Sequence, residues 1–386
     1  MSPRTLFLIR FLFLFTIFMG GLHWYVWRRL VADAVWPKTA RRLAGAAYLI
    51  LIGIFLYGGM GGRFRGESPS WMRWTANLWL GLLGLLVCTL FVLDFVRLAG
   101  WLTTRKSPPA SPERRRFLAR VLAGTAATVG SALAGFATYE ATRRVRVKPV
   151  EITLDQLAPG NDGYRIVQIS DVHVGPTLGK DFVEEVVAEI QAAKPDLVVI
   201  TGDLVDGDVA ELAPLLEPLR SLKARDGVFF CTGNHEYYAG AAQWLAYLPT
   251  LGIRPLQNER VHIGPFDLAG VPDWTAKDFP EVEPADVQKA VAGRDPVLPL
   301  ILLAHQPRHA LEAMELKVDL QLAGHTHGGQ MFPMTVLIHL AYPFIAGLYR
   351  RGPFQIYVSQ GTGYWGPPMR LGTEAEITAI TLRAKA

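Results

Sequence analysis

The chain has 386 residues, half of them hydrophobic, and its formal net charge of +5 conceals a sharp division. Residues 1–150 hold 21 Lys and Arg against 5 Asp and Glu, net +16, while the remaining 236 hold 18 against 29, net −11. The basic excess lies among apolar segments, where it reads as membrane topology and not as a nucleic-acid surface, and 10 Trp and 19 Phe exclude a disordered chain. The two cysteines, Cys88 and Cys231, exclude a disulfide framework and a thiolate zinc cluster, and are expected to be free and buried.

A helix needs about 20 apolar residues to span the hydrocarbon layer. Four segments qualify, at about 6–27, 43–60, 74–96 and 117–139. The first is interrupted by Arg10 and His23; the fourth is rich in Ala, Gly and Thr. Trp24, Trp27, Trp71, Trp74 and Trp101 lie near segment ends, as an interfacial aromatic belt requires. The first loop carries Arg28, Arg29, Lys38, Arg41 and Arg42, and the third Arg97, Arg105, Lys106, Arg114, Arg115 and Arg116; the second has Arg63, Arg65 and Arg73, diluted by Glu67.

Positive-inside counting puts loops one and three in the cytoplasm and everything after 139 outside. Arg143, Arg144, Arg146 and Lys148 oppose this, unless they rest on anionic headgroups of the outer leaflet. Residues 114–118, Arg-Arg-Arg-Phe-Leu, partly match a twin-arginine export signal, with Glu113 and Ala119 at the Ser and Lys positions. A stop-transfer cluster explains the same arginines. Ala132-Leu133-Ala134 would suit a signal peptidase, which leaves cleavage open. The expectation is a multi-pass protein of the cell (inner) membrane with an extracytoplasmic C-terminal domain.

After a linker at 142–163, apolar runs at 164–170, 197–201, 228–232, 298–304 and 319–323 read as short buried strands. Helical patterns at 181–193, 209–223 and 241–248 lie between them, which predicts a layered α/β domain over 164–386. Ligands in such sheets collect beyond the carboxyl ends of strands. The predicted ends deliver Asp171-Val172-His173, Gly202-Asp203-Leu204-Val205-Asp206, Gly233-Asn234-His235-Glu236, His305, and Gly324-His325-Thr326-His327-Gly328-Gly329-Gln330. Five of the nine histidines fall there, too many for independent structural roles.

These five blocks, D-x-H, G-D-x-x-D, G-N-H-[DE], H and G-H-x-H, occur complete and in order, and the chain from about 160 onward resembles the calcineurin-like metallophosphoesterase superfamily. The GHTHGGQ block, the tail 361–370 (GTGYWGPPMR) and the membrane anchor look closest to its bacterial membrane-associated phosphodiesterase branch. The resemblance implies a four-helix transmembrane anchor followed by an α/β/β/α sandwich. It implies one divalent metal on Asp171, His173, Asp203 and His327 and a second on Asp203, Asn234, His305 and His325, with Asp203 as the bridge. A metal-bridging hydroxide would attack phosphorus, His235 would protonate the leaving oxygen, and Asp206 would orient His235. Arg370 matches an arginine of the branch's C-terminal motif and is carried as a substrate-phosphate contact, with surface pairing as the alternative.

The chemistry is consistent on its own terms. A shared carboxylate sets two cations about 3.5–4 Å apart, the separation that clamps an in-line phosphoryl displacement. Imidazole, carboxylate and amide ligands suit Mn, Fe, Zn, Co or Ni, and four imidazoles argue against a purely magnesium site. The expected function is a membrane-anchored phosphoesterase acting on mono- or diesters, with a phospholipid or lipid-linked pyrophosphate as substrate and the bilayer as partner; oligomeric state stays open. A nucleotide or nucleic-acid phosphodiesterase is the alternative among enzymes, disfavoured by the domain's net −11. A non-catalytic, metal-stabilised binding module is the alternative from another class. Glu236 has no assigned chemistry, and His309 reads as a surface or supporting residue. The apolar stretches 335–349 and 244–251 read either as core or as surfaces that dip into a membrane interface.

Overall fold

The computed structural model describes residues 3–61, 68–104 and 111–385; Arg63, Arg65 and Glu67 of the second loop and Arg105 and Lys106 of the third lie outside the described residues. The chain divides into two compact units, Met1–Thr138 and Tyr139–Ala386.

The first unit is helical. Helices Pro3–Trp27, Lys38–Ile54, Ser70–Thr104 and Pro112–Thr142 occupy the predicted segments. Among the described residues three stretches are long and apolar enough to cross a membrane: Lys38–Gly58, Ser70–Thr103 and Pro112–Thr142. The expected fourth span, 6–27, forms as a helix but is not among the three. Charges inside this unit are paired: Arg29 donates to Asp94 at 2.7 Å and to Asp33 at 3.0 Å, and the Tyr25 hydroxyl donates to Asp94 at 2.7 Å. Such pairing offsets the cost of ionisable groups among apolar helices.

The second unit holds, among the described residues, two six-stranded sheets. One runs, edge to edge, β1 (Arg146–Leu154), β12 (Glu376–Ala384), β2 (Arg165–Ile169), β3 (Leu197–Thr201), β4 (Val228–Cys231) and β5 (Arg254–Pro255). The other runs β10 (Gly347–Arg351), β11 (Phe354–Val358), β9 (Leu320–Ala323), β8 (Leu300–Leu303), β7 (Asp267–Gly270) and β6 (Glu259–His262). Strands β2, β3 and β4 are mutually parallel, as are β8 and β9. Their carboxyl ends are therefore gathered at one edge of each sheet.

The strands are apolar on both faces because both are covered. In β3, Leu197 and Val199 point into the layer between the sheets, where they meet Ile301, Leu303, Leu320 and Leu322. Val198 and Ile200 point the other way, toward Val183, Val186, Val187 and Ile190 of helix Lys180–Ala192, whose spacing makes one helical face. A third cluster covers the outer face of the second sheet with Val287, Ala290, Ala310 and Ala313. The order of layers is helix, sheet, sheet, helix, as the resemblance implies.

The structure corrects two sequence expectations and decides a third. The stretch 142–163 is not simply a linker, since it contains β1, which pairs along its length with β12. Arg146, Lys148, Pro149 and Glu151 mask the strand in the sequence, and the exposed edge tolerates them. The stretch 244–251 is core: Trp244, Leu248 and Leu251 are buried and the Trp244 indole donates to the Gly207 carbonyl. The basic residues at 143–148 are not free for headgroups. Arg143 pairs with Glu140 and Glu374, Arg144 with Glu189, Arg146 with Glu374 and Lys148 with Glu376.

Phe266 is fully buried between the sheets, edge-on to Tyr164 at 5.3 Å. Phe266→Ala is expected to lower the unfolding free energy by about 3–5 kcal/mol, read as a shifted midpoint in urea titration of the detergent-solubilised chain. A loss below about 1 kcal/mol would show that this layer does not carry the domain's stability.

Candidate metal centre

Each parallel strand stops just before its polar block. Asp171 and His173 follow β2, Asp203 and Asp206 follow β3, Asn234 and His235 follow β4, His305 follows β8, and His325 and His327 follow β9. The loops are bound to one another before any ligand is considered. The Asp171 amide donates to the Gly202 carbonyl, that of His173 to Asp203, and that of Gly324 to His305. Asp171, His173, Asp203, His325 and His327 all adopt positive φ, between 50° and 72°. Non-glycine residues seldom do so, and such strain persists where the surroundings over-determine it.

The motif glycines follow from the same crowding. A Cβ on Gly324 would lie 2.0 Å from Ser170 Oγ and 2.2 Å from Asp171 Oδ2; one on Gly233 would lie 2.2 Å from Asp203 Oδ1. Only a hydrogen at these positions lets the ligand loops approach.

Three groups bring ligand atoms within 4.8 Å of one another: Asp171, His173 and His327; His173, Asp206 and His235; and Asp203, His305 and His325. His173 Nε2 lies 3.1 Å from His327 Nε2, and His327 Nε2 lies 3.3 Å from Asp171 Oδ1. Asp203 Oδ2 is 3.1 Å from His305 Nε2 and 4.0 Å from His173 Nε2. The Asn234 side-chain oxygen and His305 Nε2 are buried without a hydrogen-bond partner. Buried polar atoms that converge on one space and lack protein partners fit cation ligation.

The supporting shell fixes which nitrogens face that space. Asp206 Oδ1 accepts from His173 Nδ1 at 2.8 Å and from His235 Nδ1 at 2.7 Å. His305 Nδ1 donates to the Thr201 carbonyl at 2.7 Å. His325 Nε2 meets the Tyr342 hydroxyl at 2.8 Å, which leaves Nδ1 for a ligand. Burial and the neighbouring His305 push His325 down to about 3, and burial with His173 and Arg370 nearby holds His327 well below the usual imidazole range. Neutral imidazole is the form that binds metals. Burial opposes ionisation of Asp206, but His173 and His235 outweigh it and hold the carboxyl below its ordinary range.

Glu236 has a function in the structure that its motif position did not reveal. Its buried carboxylate accepts from the amides of Gly233 (2.6 Å), Asp203 (3.0 Å) and Leu204 (2.8 Å), tying the loops after β3 and β4 together. Tyr342 was likewise missed, because nothing in its sequence neighbourhood marks a partner for His325. His309 is buried against Trp274 rather than on the surface, and belongs to none of the three groups. Arg370 corrects the expectation of a phosphate contact: it is fully buried and donates to the carbonyls of Gln360, Gly361, Gly363 and Glu374 and to the Thr373 hydroxyl. It holds the tail loop closed beneath His327.

Comparison with known proteins agrees with this geometry. The family model of the calcineurin-like phosphoesterases matches residues 164–329. A Danio rerio transmembrane protein with metallophosphoesterase domain is 34% identical over 403 residues, covering 99% of this chain and 91% of that protein. This chain belongs to the calcineurin-like phosphoesterases. A Bos taurus protein of the same description is 34% identical, covering 93% of this chain and 86% of its own length, and an uncharacterized metallophosphoesterase of Helicobacter pylori is 43% identical over 249 residues, 64% of this chain and 66% of that one. The likeness is thus not confined to bacteria. This phosphoesterase is a hydrolase of phosphoric esters, in a metal-dependent family, and its apolar helices and transmembrane relatives mark it as membrane-associated.

Gly324→Ala is expected to displace Asp171 and to remove most bound metal, by elemental analysis of the manganese-loaded protein, while far-UV circular dichroism stays unchanged. Full metal content in that variant would show that the close approach of these loops is not needed.

Proposed function

We propose that this phosphoesterase is a two-metal enzyme that hydrolyses a phosphate mono- or diester of a lipid, a phospholipid or a lipid-linked pyrophosphate, at the membrane that anchors it. The observation that carries the reading is the position of Asp203 Oδ2, 3.1 Å from His305 Nε2 within its own ligand group and 4.0 Å from His173 Nε2 of the neighbouring one, within reach of both. Asp171, His173, Asp203 and His327 would hold one cation, and Asp203, Asn234, His305 and His325 the other. Cations in such a pair, drawn from Mn, Fe, Zn, Co or Ni, supply the charge that acidifies water and neutralises phosphate oxygens.

The chain's own groups do the rest. His235 donates through Nδ1 to Asp206, so Nε2 is the nitrogen that holds a proton for the leaving oxygen. Asp206 sets the tautomer of His173 and His235 together, which couples ligand geometry to the proton donor. The anchor supports a lipid substrate, since a tethered site meets bilayer-confined esters at high effective concentration.

Paired variants separate binding from proton donation. Asp203→Asn should lose metal and activity together. His235→Ala should keep its metals and lose roughly 10²–10⁴-fold on alkyl esters, but much less on nitrophenyl esters, whose leaving group needs no proton. Equal losses on both ester types would remove His235 from the acid role.

With loop three inside, the last span carries the metal-binding domain outside the cytoplasm. The cluster 143–148 weighs against this orientation, and its members pair with glutamates of the folded domain. Alkaline phosphatase fused after Ala386 should then be active and a cytoplasm-only fluorescent reporter dark. The reverse pattern would place the site in the cytoplasm.

A further inference from the structure

Residues 320–349 contain no Asp, Glu, Lys or Arg. This uncharged stretch starts in the interior, as β9, and delivers His325 and His327. It then leaves the core, through the short helix Met334–Leu337 and the turn Ile338–Leu340, neither of which buries a residue. Phe332, Met334, Val336, Leu337 and Leu340 are 46–87% exposed, with Leu340 the highest. A surface segment of a soluble domain ordinarily turns such residues inward or replaces them with charge.

The segment is fixed to the metal centre at both ends. At the near end Gln330 exchanges two hydrogen bonds with the backbone of Trp365, each 2.9 Å, and the Phe332 amide donates to the Leu371 carbonyl. At the far end Tyr342 holds His325. Trp365 is itself 53% exposed, with its ring 5.8 Å from that of His235. Trp365 therefore stands beside the proton donor, and the apolar rim that follows Gln330 is bound to its loop.

The loop that carries Trp365 also leads to the membrane helix. Its neighbour Tyr364 is buried against Ala141, in the last turn of helix Pro112–Thr142, and Glu374 pairs with Arg143 just beyond that helix. The helix has 31 residues, about 46 Å of rise against the roughly 30 Å of a hydrocarbon core, so it is longer than the layer it would cross. The rim is thus built on the same loop as the chain's exit from the membrane.

We propose that Phe332, Met334, Val336, Leu337, Leu340 and Trp365 form a collar that inserts into the headgroup and acyl boundary of the bilayer and presents the metal centre to lipid phosphate in that leaflet. This rests on the lipid-phosphoesterase reading above. A surface without acidic groups meets no repulsion from anionic lipid, and apolar side chains at this depth bind through buried area. The bilayer is the occupant favoured over a second copy or a peptide because the chain carries its own membrane spans and the collar's loop packs on Ala141, just past the expected end of the last of them.

The test uses the full-length chain in nanodiscs of phosphatidylcholine and phosphatidylglycerol. In a Cys88→Ala background, Leu340→Cys and, as a control, Val297→Cys carry an environment-sensitive fluorophore; Val297 is 73% exposed and lies outside the collar. Nitroxide-bearing lipids should quench the label at 340 at least about twofold more than at 297, as insertion into the acyl boundary requires. Equal quenching would overturn the proposal, and energy transfer between labels that rises with copies per disc would overturn it in favour of self-association. A second arm reads activity. The pair Val336→Asp and Leu340→Asp should lower hydrolysis of disc phospholipid about tenfold and leave bis(p-nitrophenyl) phosphate hydrolysis within about twofold. Loss on neither or on both alike counts against the collar. Failure of the unsubstituted, manganese-loaded chain to cleave either ester would sink the enzymatic reading, while quenching still decides the docking.

Discussion

Four carboxylates and five imidazoles are gathered at the carboxyl ends of five strands, six of the nine buried and the others half-buried, and this concentration of ionisable groups is the constraint on which the rest of the domain depends. Charge removed from water must find a specific partner or lose its charge. Here each has one. Asp206 is held between two imidazoles, Glu236 takes three backbone amides, Asp171 takes the amide of His325, and Asp203 takes the amide of His235 beside the His305 ring. What these contacts leave unpartnered, Asn234 Oδ1 and His305 Nε2, faces the same space as the ligand imidazoles. The polar network closes around a gap that positive charge would fill.

The remaining architecture serves that closure. Five ligand candidates accept left-handed backbone because the loops cross too tightly for another path, and glycines stand where two loops touch. Two sheets packed through Leu197, Val199, Ile301 and Leu322 supply a rigid edge on which loops from both halves meet. Preorganisation of this kind places donor atoms before any ligand arrives, so the cost of ordering them is met in folding.

The tail loop links this centre to the last turn of helix Pro112–Thr142. Arg370 fills its own loop with hydrogen bonds and lies beneath His327, while Tyr364 of that loop packs on the end of helix Pro112–Thr142. A buried arginine whose donors are directed at loop carbonyls and a threonine hydroxyl is a structural clamp, whatever its place in a motif. The candidate ligand His327, the tail loop and the residues that end that helix are in this way linked through a few side chains.

The sequence alone named the candidate ligands, because metal chemistry restricts side chains to a few types and strand ends fix where they fall. Asp171, His173, Asp203, Asn234, His305, His325 and His327 were all legible from spacing and family motif together. It also determined β2, β3, β4, β8 and β9, whose burial on both faces writes a continuous apolar run. It did not disclose β1 or β12, since β1 is an edge strand and its charges face water, and its partner lies some 230 residues away in sequence. Nor did it disclose the work of Glu236, Tyr342 and Arg370. Their partners are backbone amides, one imidazole nitrogen and loop carbonyls that come within reach only after both sheets have packed. A carboxylate bound to backbone leaves no complementary side chain to read, so only the tertiary structure decided what those residues do.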